Sequence, residues 1–562
     1  MMFCLNIFFF FFLFFLFFFF FGIYFYEYDL IFFFEWTIFM MNSFNFTCIF
    51  LFDWISMIFM SFIFLISSCV LYYSLGYMNN DLNLIRFFYL VFMFIFSMVL
   101  FIMMPDLICL LLGWDGLGLV SYCLIIYYNN YISLSSGLLT VFMNRLGDVF
   151  LIVSIGWFFN FGSCHFIFYN DFFDMDLNFM IYLILFSSFT KSAQFPFCFW
   201  LPSAMAAPTP VSSLVHSSTL VTSGIYLIMR FNYYIFFFDT SLLMFLSMIT
   251  MFISGFGACL ENDLKKVIAY STLSQLGFMF FILSFGSLIL CFVHLLIHAI
   301  FKSLLFLCSG FFIHCFIGNQ DIRYMGGLLI QSPYISSCFC ISLFCLCGFP
   351  FFSGFYSKDF IIELIILSEI NYLYFFFFCL CIFLTLLYSF RLIYYLFFFN
   401  SFFFSMLNFI YCNYMNLSLF FLFFFSLFSG SYIFWLFIDF VFVIEMFLKF
   451  IPLYIMFIFF FLFFNFLGNV ILFCSYFIFF FFGSMMFLNY FSSKFFLNYF
   501  FTFSTFSMML VDNGWLEYKV SGGLLGSLNW MMIYFENFIL RGLFYIYYFL
   551  FLFFFLFIFF FN

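Results

Sequence analysis

The chain has 562 residues, of which 69% are hydrophobic and 7% are charged. A soluble domain is about 45–50% apolar and about 25% charged, so this composition excludes a soluble enzyme. The net charge of −9, from 14 Lys and Arg against 23 Asp and Glu, leaves no basic patch and excludes a nucleic-acid partner.

The predicted elements are membrane-spanning helices along almost the whole chain. Polar, Gly and Pro interruptions divide it into about fifteen apolar stretches long enough to cross a bilayer. This pattern predicts an all-α polytopic membrane protein. The predicted spans are residues 5–26, 52–76, 87–104, 106–128, 139–160, 179–198, 211–231, 234–258, 265–284, 288–316, 335–361, 371–399, 416–440, 452–482 and 542–561.

Residues 484–541 are too polar to form two clean spans. We predict an amphipathic helix that lies laterally on the membrane surface, with an interruption at Gly522-Gly523. An ordinary loop between helices is the alternative. The predicted organisation is N-terminal helices in 1–105, a core in 106–400, further helices in 401–483, the lateral helix in 484–541 and a C-terminal anchor in 542–562.

Targeting and redox signals are sparse. Met1–Phe21 contains no Lys or Arg, so an Arg-rich import presequence is not expected, and synthesis inside the compartment whose membrane the chain enters is favoured. The 19 cysteines include pairs separated by one residue (C-x-C), whereas zinc and iron–sulfur sites typically use pairs separated by two residues (C-x₂-C). We expect inert buried thiols and no metal site.

The core contains acidic residues at membrane depth, where a charge costs about 2.5–3.5 kcal/mol on insertion scales. Asp115 is the one carboxylate of an apolar, glycine-containing segment, so we expect a cation beside it. Arg145 and Asp148, three residues apart, share a helix face. They form either a structural ion pair, or a site in which Asp148 contacts a Lys of the next helix.

Two lysines lie beside predicted helix breaks. Lys191 precedes Pro196, the first of four prolines in 15 residues, and His216 follows on the next span. Lys358 follows Pro350. Broken helices at membrane depth line cavities or are buried in protein, so these lysines are candidate proton carriers. The alternatives are a hydrogen-bonded core histidine at 216 and a lysine that reaches the interface at 358.

His294, His298 and Lys302 are spaced i, i+4 and i+8, so they share one face of an otherwise apolar helix. A row of titratable groups at this depth indicates a proton path, whereas a metal site would need a carboxylate or a further close ligand in place of the lysine.

The runs GWDGLGLVSY, NRLGDVFL, KSAQFPFCFWLPSAMAAPTPVSSLVHSSTLVTSGIYL, DLKKVIAYSTLSQLGFM, HLLIHAIFKSLLFL and PFFSGFYSKDFIIE occur in this order. They closely resemble the chain 5 family of respiratory complex I, the antiporter-like, Mrp-related subunits named NADH dehydrogenase subunit 5. The resemblance covers about residues 50–400 and continues more weakly to the C-terminus.

The resemblance implies two inverted five-helix repeats with broken helices, and a role in moving protons. Asp115 stands where the family has a Glu, so its carboxylate is one methylene nearer the backbone. Only 35 residues precede Trp36, which implies one helix fewer than the family's sixteen. The resemblance carries family roles to the residues that match its motifs: Asp115, Arg145, Asp148, Lys191, His216, His294, His298, Lys302 and Lys358.

The expected function is therefore that of a proton-translocating subunit in the membrane arm of mitochondrial complex I, in the inner membrane. The resemblance implies no cofactor on this chain, with FMN, iron–sulfur clusters and ubiquinone bound by other subunits. It implies the adjacent antiporter-like subunit 4 and lipids such as cardiolipin as partners. The alternatives are a stand-alone Mrp-type cation/proton antiporter subunit and a structural strut that does not pump.

Overall fold

The computed structural model describes residues 2–41, 44–79, 81–159, 177–232, 240–368, 371–400, 413–438, 442–466, 481–488, 490–491, 496–539, 549 and 551–553. The chain divides into two compact units, Met1–Met486 and Phe487–Asn562.

The first unit consists almost entirely of helices, as its apolar composition predicts. The helices are α1 Met2–Glu27, α2 Trp54–Tyr77, α3 Leu84–Met103, α4 Leu107–Ile125, α5 Tyr131–Phe158, α6 Leu177–Lys191, α7 Thr209–Arg230, α8 Ser241–Leu260, α9 Leu264–Ser284, α10 Leu288–Cys315, α11 Pro333–Cys347, α12 Ser353–Leu367, α13 Tyr372–Ile393, α14 Asn413–Phe437 and α15 Ile451–Phe466.

Within the described part of the chain, eleven helices are long and apolar enough to cross a membrane. Shorter apolar helices include Phe179–Lys191 and Pro333–Cys347. The chain is thus an integral, multi-pass membrane protein. The number of about fifteen spans stays a prediction.

One element departs from the all-α prediction. Phe32–Met41 (β1) and Phe44–Phe52 (β2) pair as an antiparallel hairpin between α1 and α2. Aromatic residues favour strands as well as apolar helices, so a run this rich in Phe carries no periodic signal that separates the two. The expected all-α architecture is therefore wrong at this hairpin.

The core of the first unit is formed by α7, α9 and α10. Almost every residue of α9 and α10 is buried, which is typical of helices that are apolar on all sides. The second half of α2 packs against the same centre, where the Tyr73 hydroxyl donates to the Leu307 carbonyl oxygen at 2.9 Å. The residues proposed from the sequence for proton transfer lie on or around these buried helices.

The helical path breaks at two places, as the proline positions predict. After α6 ends at Lys191, the chain passes through short helical turns, including Phe197–Phe199 and Trp200–Ser203, before α7 begins. After α11 ends, Gly348 has φ +81°, a conformation that favours glycine, and α12 begins at Ser353.

The second unit contains α16 (Phe496–Ser507) and α17 (Leu524–Ile539), joined by wider π-helical turns at Met508–Leu516 and Tyr518–Gly523. At Gly522-Gly523, where an interruption is predicted, the chain stays helical but with π-helical turns, and the regular α-helix resumes at Leu524. Each Gly costs a helix only about 1 kcal/mol relative to Ala, which a helix of this length tolerates. The predicted C-terminal anchor 542–562 lies outside the described residues except at 549 and 551–553.

Candidate functional site

Asp115, Arg145 and Asp148 form an ion cluster between α4 and α5. Arg145 Nη1 lies 3.3 Å from Asp115 Oδ2 and 3.1 Å from Asp148 Oδ2, so one guanidinium bridges both carboxylates. The expectation of a cation beside Asp115 is confirmed. The Asp115 side chain is 40% exposed, whereas that of Asp148 is 8% exposed. Asp115 is thus only partly buried, because α4 turns Trp114 inward instead; its Oδ1 is buried and has no hydrogen-bond partner among the described residues.

Lys191, at the end of α6, is fully buried beside this cluster. Its Nζ donates to the main-chain carbonyl oxygen of Trp114 at 2.5 Å and lies 3.8 Å from the centroid of the Trp114 ring. The indole Nε1 of Trp114 donates to Asp148 Oδ1 at 2.9 Å. Trp114 therefore connects Lys191 to Asp148, a connection that no sequence pattern indicates.

Glycines determine how closely the neighbouring helices approach α6. A Cβ on Gly147 would overlap the Thr190 hydroxyl, and a Cβ on Gly224 would lie 2.5 Å from the Ser188 carbonyl oxygen. Helices α5 and α7 therefore contact the backbone of α6 on either side of Lys191. The run NRLGD places Asp148 directly after this contact.

His216 lies in a π-helical segment of α7, Ser212–Thr219, and is buried. Its ring centroid is 6.3 Å from that of Trp200. Neither ring nitrogen has a hydrogen-bond partner among the residues that the structure describes. The hydroxyl groups of Ser212, Ser213 and Ser217 donate to main-chain carbonyl oxygens of α7.

The predicted row on α10 is present and fully buried. The ring centroids of His294 and His298 are 6.4 Å apart. His294 Nδ1 lies 2.9 Å from Ser357 Oγ on α12, and its Nε2 lies 3.3 Å from Gln275 Oε1 on α9.

The other two members of the row differ in their contacts. His298 has no hydrogen-bond partner within the described part of the chain. Lys302 Nζ donates to Ser271 Oγ of α9 at 2.5 Å. The row is therefore held by hydroxyl and amide groups of α9 and α12.

Lys358 lies on α12 and donates across the second break to the main-chain carbonyl oxygen of Leu346. It lines a cavity of about 40 Å³ together with Gln275, Cys347 and Asp359. The lining of this cavity is mostly apolar, with Gln275, Lys358 and Asp359 among its polar members. Its volume exceeds the about 10–15 Å³ that one water molecule needs, so the lysine borders a space large enough for water.

A further buried lysine, Lys265 on α9, was missed by the sequence interpretation. Its Nζ donates to the Ala207 carbonyl oxygen at 3.1 Å, in the irregular segment before α7. The signal was the pair Lys265-Lys266, of which only the second is exposed and pairs with Asp263 at 2.8 Å.

No group of three or more His, Cys, Asp and Glu side chains that could hold a metal ion occurs among the residues described here.

Three family models match the chain in order. The chain 5 N-terminus of NADH-ubiquinone oxidoreductase (complex I) matches residues 36–88, the transmembrane region of NADH:quinone oxidoreductase/Mrp antiporters matches 104–385, and the NADH dehydrogenase subunit 5 C-terminus matches 388–562.

Curated relatives named NADH-ubiquinone oxidoreductase chain 5 include that of Aedes aegypti, 48% identical over 70% of this chain and 68% of the relative. That of Anopheles arabiensis is 51% identical over 66% of this chain and 98% of the relative. The chain belongs to the NADH-ubiquinone oxidoreductase chain 5 family. The expectation of an antiporter-like, proton-translocating subunit of the complex I membrane arm is thereby confirmed, and other membrane-arm subunits are its partners.

The fold of this chain 5 family member is similar to a solved structure, the Mrp complex from Dietzia sp. DQ12-45-1b. The TM-score is 0.67 at 21% identity, over 78% of this chain and 51% of the solved chain. The chain therefore spans about half the length of that solved chain, and the likeness concerns the fold alone.

Proposed function

We propose that protons cross the membrane along the buried titratable residues of this subunit. They enter at the Asp148–Lys191 cluster, pass His216, continue along His294, His298 and Lys302, and leave past Lys358. The charge at one site changes the proton affinity of the next, as close titratable groups do.

The observation that carries this proposal is the buried row on α10 between two lysines that both lie at helix breaks. Unpaired charges at membrane depth would only reduce stability, so their burial in the protein interior favours a transport role. The cavity at Lys358 supports an exit at that end, because it offers space for water beside a lysine.

The entry cluster is best assigned to Asp148 rather than to Asp115. Asp148 is buried and contacts Trp114, which in turn contacts Lys191. Asp115 pairs with Arg145 at the edge of the bundle and adjusts the charge there. A water molecule would bridge the longer gap from Asp115 to the interior.

The proposed location, partners, cofactors and number of spans follow from membership of the chain 5 family. We place the subunit in the mitochondrial inner membrane, with subunit 4 as its neighbour and with lipids such as cardiolipin. The chain carries no redox site, and FMN, iron–sulfur clusters and ubiquinone act on other subunits. It comprises about fifteen spans with two inverted five-helix repeats, and 484–541 lies along the membrane surface and contacts neighbouring subunits.

Lys302→Ala tests the path. In the assembled complex, reconstituted in vesicles, the ratio of protons pumped to electrons transferred should fall. Lys266→Ala is the matched control. Lys266 lies on α9, the helix that Lys302 contacts, but its side chain is exposed and pairs with Asp263. An unchanged ratio in Lys302→Ala would contradict the path and favour a structural strut. Purification without a flavin-containing assembly would favour the stand-alone antiporter.

A further inference from the structure

Trp114 contacts both ionisable groups of the entry cluster. Its carbonyl oxygen and the face of its ring both lie against Lys191 Nζ, at 2.5 Å and at 3.8 Å from the ring centroid. Its indole Nε1 donates to Asp148 Oδ1 at 2.9 Å. One residue of α4 therefore touches the carboxylate of α5 and the ammonium group of α6.

The Trp114 ring is fixed in place. Its side chain is fully buried, and its ring centroid is 5.8 Å from that of Phe101 on α3. A Cβ on the neighbouring Gly113 would lie 2.5 Å from the backbone nitrogen of Phe101, so α3 and α4 are in close contact here. The indole cannot shift without moving α3.

Lys191 contacts Trp114 rather than a carboxylate. The face of an indole attracts an ammonium group electrostatically, and the attraction is larger when water is excluded. Arg145 contacts both Asp115 and Asp148, but no ion pair between Lys191 and a carboxylate is found within the described residues. The hydrogen-bonded link from Lys191 to Asp148 therefore passes through Trp114.

We propose that Trp114 is a positioning residue for proton transfer at Lys191. Its ring and carbonyl oxygen hold the Lys191 nitrogen in place. Its indole N–H holds the Asp148 carboxylate on the same tryptophan. A change of charge on either group is then felt by the other at a fixed separation. This inference rests on the proposed function, because it concerns the entry site of that path.

The test compares two variants in the assembled, reconstituted complex. Trp114→Phe keeps an aromatic face and loses the indole N–H, whereas Trp114→Leu loses both, and the main-chain carbonyl remains in each. The loss of pumped protons per electron in Lys191→Met defines the full effect. Trp114→Leu should lose more than half of that amount, because only the main-chain carbonyl still holds Lys191, and Trp114→Phe should lose less than half of it. Trp54→Leu is the control, because Trp54 stacks on Phe437 away from the cluster.

The outcomes separate the two proposals. Normal pumping in Lys191→Met would overturn the proposed path itself. A loss in Lys191→Met with normal pumping in Trp114→Leu, or equal losses in the Leu and Phe variants, would overturn only the role of Trp114.

If Trp114→Leu does not assemble, Trp114→Phe decides. It keeps the ring face and loses the indole N–H, so it should lose a measurable part, but less than half, of what Lys191→Met loses. Pumping equal to that of Trp54→Leu, or a loss as large as that of Lys191→Met, would overturn the role.

Discussion

The ammonium nitrogen of Lys302 lies 2.5 Å from the hydroxyl oxygen of Ser271, which joins the middle of α10 to α9. A buried charged donor left without an acceptor costs roughly 1–3 kcal/mol or more. Ser271→Ala should therefore reduce the contribution of this subunit to proton pumping about tenfold, since about 1.4 kcal/mol corresponds to that factor. The measurement is the initial rate of vesicle acidification at a fixed rate of NADH oxidation.

The control for Ser271→Ala is Ser284→Ala. Both hydroxyl groups donate to the carbonyl oxygen three residues earlier on α9, but Ser284 lies at the end of the helix. Ser284→Ala should pump normally. Equal rates in the two variants would contradict a role for the Ser271 contact.

The two aspartates of the entry cluster should differ in effect. Asp148 is buried and hydrogen-bonded to Trp114, whereas Asp115 is 40% exposed and pairs with Arg145. Asp148→Asn should abolish the contribution of this subunit to pumping, and Asp115→Asn should reduce it by about half, because Asp115 contacts the cluster through Arg145 and not through Trp114. The proton-to-electron ratio measures both. A larger loss in Asp115→Asn than in Asp148→Asn would make Asp115 the entry residue.

Gly147 should not tolerate a larger residue. A Cβ at this position would overlap the Thr190 hydroxyl, so Gly147→Ala should destabilise the folded subunit by about 1–3 kcal/mol. Thr190→Ala in the same chain should restore part of the loss. Gly156→Ala is the control on the same helix, because no atom lies within 4 Å of its added Cβ. Thermal unfolding of the complex measures the effect, and equal unfolding temperatures for the two glycine variants would refute it.

Asp106 should make stability depend on pH. It precedes α4 in the connection from α3, and burial raises the pKa of its carboxyl from 3.8 to about 6, although the backbone N–H of Ile108 acts in the opposite direction. A carboxyl with a raised pKa contributes stability below pH 3.8 that is lost as the pH rises through 6.

Asp106→Asn keeps a residue suited to begin a helix and removes this titration. The variant should be more stable than the wild type by about 3 kcal/mol at pH 8 and by about half of that at pH 5. Thermal unfolding at the two pH values measures the difference. An advantage of the same size at both would show that the carboxyl does not titrate in this range.

The sequence predicts the local parts of this site well. The i, i+3 spacing of Arg145 and Asp148 and the i, i+4, i+8 row on α10 depend only on helix geometry, and both are present. The two helix breaks follow from proline and glycine, which restrict the backbone wherever they occur. Such features need no knowledge of distant segments.

The long-range parts could not be predicted. The contact of Lys191 with Trp114 joins residues 77 positions apart, and it depends on which way α4 is rotated. That rotation also places Asp115 at the edge of the bundle, which an apolar segment without periodicity does not reveal. The hairpin of β1 and β2 was missed for the same reason, since its Phe-rich strands have no alternation of polar and apolar residues.

Lys191 and Lys358 both donate to main-chain carbonyl oxygens, of Trp114 and Leu346 respectively. A carbonyl oxygen only accepts, and a lysine amine that has released its proton still has N–H groups to donate. Each nitrogen can therefore stay where it is in the charged and the neutral state alike. Loading and unloading then require rotation about the last C–N bond rather than a swing of the whole side chain, so heavy atoms need little reorganisation during turnover.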